Sequence, residues 1–209
     1  MRPKQFDPEQ ALESAMELFW RRGYEATGIT DLVEHLGIAR ASLYATFGSK
    51  EQLYCRALDR YCELRAGPVL EALEAPGSVL PRIVTMLERL ADAPLTDADR
   101  RGCLVVNAAM ERIPADAAVT ERVAAHLHRD EEVLTRALQR AQDQGEISPG
   151  GNPRELSRFL VATIQGLRVV GKSTADSAVL HDVVAVAIRS LAPLAGSSGR
   201  SALGAGNGT

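Results

Sequence analysis

The chain has 209 residues, of which 45% are hydrophobic, 4% aromatic and 24% charged, with a formal net charge of −3. That length fits one domain of ordinary size, or a small domain joined to a larger one, with a core packed mainly by aliphatic side chains. The charge balance excludes indiscriminate nucleic-acid binding by the whole surface but leaves room for a local basic face, and no apolar run approaches the ~20 residues that would cross a bilayer.

The N-terminus, "MRPKQFDPEQ", has basic residues but no apolar stretch behind them, so it does not read as a secretion signal. Three cysteines without such a signal point to reduced thiols and a cytoplasmic protein. Cys55 and Cys62 fall on one predicted helix about 10 Å apart along its axis, too far for a disulfide between them, and read as core.

The first helix opens at Asp7, Pro8 and Gln10, an N-cap, a first-turn proline and a capping-box partner. It carries Ala11, Leu12, Ala15, Leu18 and Phe19 on one face and ends at Gly23. A short second helix holds Ile29, Leu32, Val33 and Leu36 and stops at Gly37; a third runs from about Arg40 to Thr46. Ser49 and Gln52 form another capping box that starts a fourth, "KEQLYCRALDRYCELRA", which Gly67 and Pro68 are expected to end. Further helices are expected near 79–92, 99–112, 116–145, 153–172 and 176–193, separated by loops such as "GEISPGGNPR" and, as a weak break, "GKSTADS". The tail "GSSGRSALGAGNGT", from residue 196, has nothing with which to bury a core and is expected to be disordered. The class is all-α with about nine helices, and the organisation is 1–48, 49–195 and the 196–209 tail.

"TDLVEHLGIARASLYATF" sets two short helices about a glycine-containing turn, the pattern of a helix-turn-helix. The second helix of such a unit lies in a DNA major groove, where its outward side chains must be small or polar. Leu43 and Phe47 would face the core with Ile38, leaving Arg40, Ala41, Ser42, Tyr44, Ala45 and Thr46 outside with no carboxylate among them to repel phosphate. Lys50 begins the next helix, where a lysine and exposed backbone N–H groups together suit a phosphate. A polar helix within an ordinary three-helix core explains the same spacing.

The longer stretch "YEATGITDLVEHLGIARASLYATFGSKEQL" closely resembles the DNA-binding domain of the tetracycline-repressor (TetR) family. The matching positions include Thr27, Ile29, Asp31, Leu36, Gly37, Ile38, Leu43, Tyr44, Phe47, Ser49, Lys50 and Leu53. The resemblance implies an all-helical homodimeric regulator that binds double-stranded operator DNA and is released by a small molecule held in its C-terminal domain. It also implies a fourth helix that often continues past the Gly67–Pro68 position. It makes Thr27, Ser42, Tyr44 and Lys50 candidates for phosphate contact, and Arg40, Ala41, Ala45 and Thr46 for base contact. Arg40 alone can pair bidentately with a guanine edge. A structural role for Tyr44 stays open, as does a loose DNA-contacting arm through Arg2 and Lys4. Two positions depart from the family pattern. Ala39 stands where a capping serine is usual, at a cost of about 1 kcal/mol. Gly28 replaces a serine, so only its backbone N–H is left to approach a phosphate.

Farther on, "GCLVVNAA" and "QGL" look like one subgroup of the same family. Apolar residues on the last two helices, Phe159, Thr163, Ile164 and Leu167, then Val183, Val184, Ala187 and Leu191, exceed what one exposed pair would carry; a four-helix dimer interface or burial within the monomer explains them. A cavity among helices four to eight is expected to be lined by Met86, Leu90, Cys103, Val106, Asn107, Met110 and Phe159, with Asn107 either orienting a ligand or bonding to local backbone. Cys103, preceded by Arg100 and Arg101 and within reach of Lys172 if the subgroup packing holds, reads first as a core residue, with a redox or electrophile sensor and an unreactive pocket-lining residue as the alternatives. His126 and His128 are two apart and diverge on a helix, and His35 and His181 lack neighbours suited to ligation, so neither metal nor cofactor is expected. Two other functions compete with a ligand-responsive repressor. A dimeric protein-binding module without DNA binding is opposed by the acid-free face, and a Cys103-dependent enzyme lacks any accompanying histidine or acid motif.

Overall fold

A computed structural model describes residues 6–174 and 176–191. Among them are nine helical rods and no strand. The rods are α1 (Pro8–Arg22), α2 (Ile29–Leu36), α3 (Arg40–Phe47), α4 (Lys50–Tyr61, Cys62–Ala66 and Gly67–Glu74 in unbroken succession), α5 (Leu80–Thr96), α6 (Leu104–Arg112), α7 (Ala117–Asp143), α8 (Pro153–Ser173) and α9 (Ser177–Leu191). Arg2, Lys4 and the 196–209 tail lie outside the described residues.

Most boundaries follow from capping chemistry. The Asp7 carboxylate accepts the Glu9 N–H at 2.9 Å, Ser49 and Gln52 close a reciprocal box at 3.2 Å each, and Asp116 accepts the Val119 N–H at 3.0 Å. Three boundaries differ from expectation. One is the end of α5, which runs through Pro94 to Thr96 instead of stopping near 92. Gly67 and Pro68 do not end α4: at Cys62–Ala66 the ladder widens to a π turn, and the Gly67 N–H reaches the Cys62 carbonyl. That wider turn absorbs the proline, whose ring would otherwise strike a carbonyl of the preceding turn. Nor does α6 begin at 99. The Asp97 carboxylate takes the Arg101 N–H at 2.8 Å, and Arg100 (φ 47°) and Gly102 (φ 69°) turn left-handed, so the helix starts only at Leu104.

The rods enclose two cores. One is shared by α1 to α3, the first half of α4, α6 and the start of α7, around Phe19, Leu32, Leu43, Leu53, Tyr54 and Leu104. The three N-terminal helices therefore do not pack alone; α4 and α6 complete their core. The second core joins the end of α4 to α5, α7, α8 and α9 around Leu73, Ile83, Leu87, Leu134, Leu138 and Leu160.

Ile164, Leu167, Val184, Ala187 and Leu191, expected at a subunit interface, belong to this second core, with Ile164 only 6% exposed. They interlock α8 and α9 with α5 and α7 inside one chain, each large side chain contributing roughly 1.5–3 kcal/mol by leaving water. Of the residues expected at the interface, Phe159 and Val183 are exposed and Thr163 is half-buried. The outer apolar stripe consists of Phe159, Val169 and Val170 on α8 with Val179, Val183 and Val186 on α9.

Candidate nucleic-acid interface and cavity

On α3, Leu43 and Phe47 point into the first core, and Arg40, Ala41, Tyr44 and Ala45 stand exposed, with Ser42 and Thr46 half-buried beside them. The first turn holds no acid, and Ala39 supplies no side-chain cap. Arg40 reaches to 5.8 Å from the centre of the Tyr44 ring, so both extend from the same side of the helix. Arg56 donates to the Thr46 carbonyl at 3.3 Å and lies over Phe47, fixing the far end of α3 to α4.

Three expected phosphate contacts look different in place. Thr27 is fully buried and its hydroxyl donates to the Gly23 carbonyl at 2.6 Å, so its side chain closes the loop after α1 and has no donor left for a phosphate. The Gly28 N–H donates to Asp31 at 2.7 Å, and Asp31 is also paired with Arg22 at 3.0 Å. A carboxylate thus already holds the amide that was expected to approach DNA. Lys50, half-buried at the start of α4, sets its ammonium 3.9 Å from the centre of the Tyr24 ring. The Arg112 guanidinium lies 4.1 Å from the same ring, and the Tyr24 hydroxyl donates to Glu51 at 2.9 Å. Burial, reinforced by Glu51, holds that phenol well above its ordinary pKa.

These contacts belong to a junction that sequence reasoning missed. Both oxygens of Glu111, at the end of α6, accept backbone N–H groups just beyond α1, from Tyr24 and Glu25, at 2.9 Å each. Arg112 pairs with Glu25 and, at 3.0 Å, with Asp116. At the other end of α6, the Trp20 indole donates to the Gly102 carbonyl at 3.1 Å, and Arg101 lies over that indole while pairing with Glu17 at 2.6 Å. A single helix of nine residues, Leu104–Arg112, is therefore fastened to α1 at both ends.

Between α4, α5, α7 and α8 lies a cavity of about 790 Å³. Of the expected lining, Met86, Leu90 and Cys103 are there, and Lys172, expected near Cys103, lines the same cavity. Val106 packs against the first core instead. Asn107 donates to the Arg101 carbonyl at 2.9 Å and accepts the Lys172 ammonium at 2.9 Å, so of its two open readings it takes the local one. Met110 (80% exposed) and Phe159 face outward. The lining that went unread includes Trp20, Tyr61, Asp130, Leu134, Ile164, Leu167 and Arg168.

Titratable groups lie in and behind the cavity wall. Cys103 is 3% exposed and lies beside Tyr61, whose phenol is held well above its ordinary pKa by burial. Burial pushes the neighbouring Cys62 thiol up to about 12. Asp130 and His126 lie 3.5 Å apart, and burial moves both toward their neutral forms, raising the carboxyl and lowering the imidazole. Each of the other histidines has its own single partner: His35 meets Ser14, His128 meets Glu132 and His181 meets Asp92. Among the described residues, no three or more His, Cys, Asp or Glu side chains gather as a metal set, and no helix is long and apolar enough to cross a membrane.

Comparison with known proteins matches both halves of the chain. A family model described as bacterial regulatory proteins, tetR family, matches residues 11–57, and one described as tetracyclin repressor-like, C-terminal domain, matches residues 79–187. The chain is 38% identical over 191 residues to the HTH-type transcriptional regulator YezE of Bacillus subtilis (strain 168), covering 90% of this chain and 97% of that protein. It is 31% identical over 189 residues to the HTH-type transcriptional repressor ComR of Escherichia coli (strain K12), covering 90% of each. Among solved structures, a cysteine mutant of the TetR family regulator CifR, complexed with a 26 bp double-strand operator, superposes with a TM-score of 0.79 at 30% identity, over 91% of this chain and all of that one.

Proposed function

The chain belongs to the tetR family of bacterial regulatory proteins, DNA-binding transcriptional regulators rather than enzymes, and from that premise we propose that it is a homodimeric repressor released from a two-fold operator by a small molecule in the cavity. The observation that carries this reading is the α3 surface: small, polar and free of carboxylates, with Arg40 at its tip. In the groove, Arg40 reads a base edge, Ala41, Ala45 and Thr46 allow close approach, and Ser42, Tyr44 and Lys50 hold phosphates. The DNA complex of CifR and the repressor ComR support the same direction. Subunits pair through the outer stripe of α8 and α9, where Phe159, Val179, Val183 and Val186 remain in water in a single chain. The protein acts in the cytoplasm, on the DNA that it regulates. Cys103 serves as cavity lining: its near-complete burial favours that over a reactive role.

Electrophoretic mobility shift with the DNA upstream of its own coding region tests the proposal. A discrete, salt-sensitive complex whose stoichiometry is two chains per site is expected. Binding no tighter than to unrelated duplex would overturn it in favour of a protein-binding module.

A further inference from the structure

The cavity's lining charges are unbalanced in a chain that is itself slightly acidic. It includes Arg65, Arg82, Arg89, Arg100, Arg101, Arg168 and Lys172 against two acids, Asp97 and Asp130. Some of the cations are already committed. Arg101 is paired with Asp97 and Glu17, Arg65 reaches Glu17 at 3.9 Å, and Arg82 caps the end of α4 through the Ala72 carbonyl at 3.1 Å. Arg168 is different. It is half-buried on α8, its one side-chain hydrogen bond is to the neutral Gln165 amide at 3.2 Å, and among the described residues it has no carboxylate at salt-bridge distance. A guanidinium withdrawn from water without an anion leaves desolvation uncompensated.

The groups around Arg168 fit an incoming anion. Its charge acts on Tyr61 and Asp130, which lie with it in the lining. The buried Oδ1 of Asp130 has no hydrogen-bond partner, and burial shifts that carboxyl toward its neutral form, which lessens its repulsion of an oxyanion. Much of the remaining wall is aliphatic, with Leu70, Leu73, Met86, Leu90, Leu134 and Ile164.

We propose that the cavity is built for an amphipathic anion, its acidic headgroup, carboxylate or phosphate, on Arg168 and its apolar body against that aliphatic wall. The proposal rests on the ligand-responsive reading above, since it names the chemistry of that ligand. A planar guanidinium binds either oxyanion through two parallel N–H donors, which a lone amide partner leaves available.

Calorimetry on the full-length protein with decanoate, decyl phosphate, decanol and decyltrimethylammonium tests it, with operator release followed by fluorescence anisotropy. At least one of the two anions should bind, and whichever is tighter identifies the headgroup. Decanol should bind more weakly, and the cationic amphiphile should not bind. Arg168→Gln should weaken the preferred anion by about 10- to 100-fold and leave decanol unchanged. Arg168→Lys, which keeps the charge and loses the fork, should give a smaller loss and covers the case in which the glutamine variant does not fold. Decanol bound as tightly as the anions, an unchanged affinity in both variants, or no binding by any of the four would overturn the proposal. An anion that binds but leaves the operator complex intact upholds the site and removes instead the effector role on which the first reading depends.

Discussion

Replacing Glu111 by alanine should loosen the DNA-binding helices from the rest of the molecule without touching α3. The carboxylate accepts two backbone N–H groups at 2.9 Å, from Tyr24 in a part-buried setting and from Glu25 in an exposed one. A hydrogen bond to a charged group contributes about 1.5–3 kcal/mol where water cannot compete, and much less at the surface. Glu111 is itself exposed, so the net loss should be about 1–3 kcal/mol, carried mostly by the Tyr24 amide. Hydrogen exchange monitored by NMR is the direct assay. The Tyr24 and Glu25 amides should exchange about 5- to 150-fold faster, the factor that corresponds to that free energy. Amides in α9, which has no part in the junction, should keep their protection. Glu111→Gln retains one acceptor oxygen and should give an intermediate effect. Unchanged exchange at both amides in the alanine variant would refute the idea that Glu111 fastens α6 to the loop after α1.

Other expectations concern the dimer, the groove and pH. Val183→Glu or Val186→Glu should yield folded monomers by sedimentation that no longer hold operator, whereas Ile164→Glu or Val184→Glu should cost several kcal/mol and depress the melting temperature, because these two side chains are buried within one chain. Arg40→Ala should relax preference at one base position by about 1–3 kcal/mol in a binding-site selection assay. Lys50→Ala should weaken all duplexes alike and flatten the salt slope by about one unit, with a small loss of melting temperature from the vacated Tyr24 ring. The Asp116 carboxyl is held below its ordinary pKa chiefly by the Val119 N–H, which outweighs the opposing effect of burial, with Arg112 adding to the lowering. Its folded value lies below its unfolded one, so its contribution is complete above the usual aspartate value and fades as pH falls below about 4. Asp116→Asn should therefore cost stability at neutral pH and less in acid, as melting across that range would show.

What the sequence made legible was local. Caps at Asp7 and Ser49, the helical period and the Leu43–Phe47 pair depend on neighbours within a few positions, so helix order and the outward face of α3 could be read directly. The errors came from competition that a linear pattern hides. Pro68 was read as a stop because nothing in the spacing announces that the ladder will open into a π turn before it. Residues 99–102 keep helical composition, yet the Asp97 carboxylate takes the Arg101 N–H and turns the chain aside. Ile164 and Val183 both look like apolar residues of an amphipathic pair. Only the position of α5 and α7 decides that the first is buried within one chain and the second is left in water. Glu111 was invisible for the plainest reason: its partner Tyr24 is 87 positions away, and an acid near a helix end usually means nothing more than solubility.

The same long-range contacts supply a physical path for the proposed response. Cys103 lines the cavity and caps α6; eight residues later Glu111 grips the loop that leads into α2 and α3. A helix of that length is about 13 Å of stiff rod, so a displacement at one end reaches the other instead of being absorbed on the way. Two contacts tie the near end to the cavity. Lys172, on α8, donates to Asn107 on α6, and the Gly102 carbonyl holds the Trp20 indole of α1. A headgroup drawn to Arg168, one turn before Lys172, competes for the same ammonium and so bears on Asn107 without touching DNA. Its leverage is bounded by its preference for one arrangement of α6 over the other, because a ligand bound equally by both shifts nothing. Release therefore depends on the Lys172–Asn107 contact differing between the two arrangements, and an operator complex that formed and dissociated identically in Asn107→Ala would place the path elsewhere.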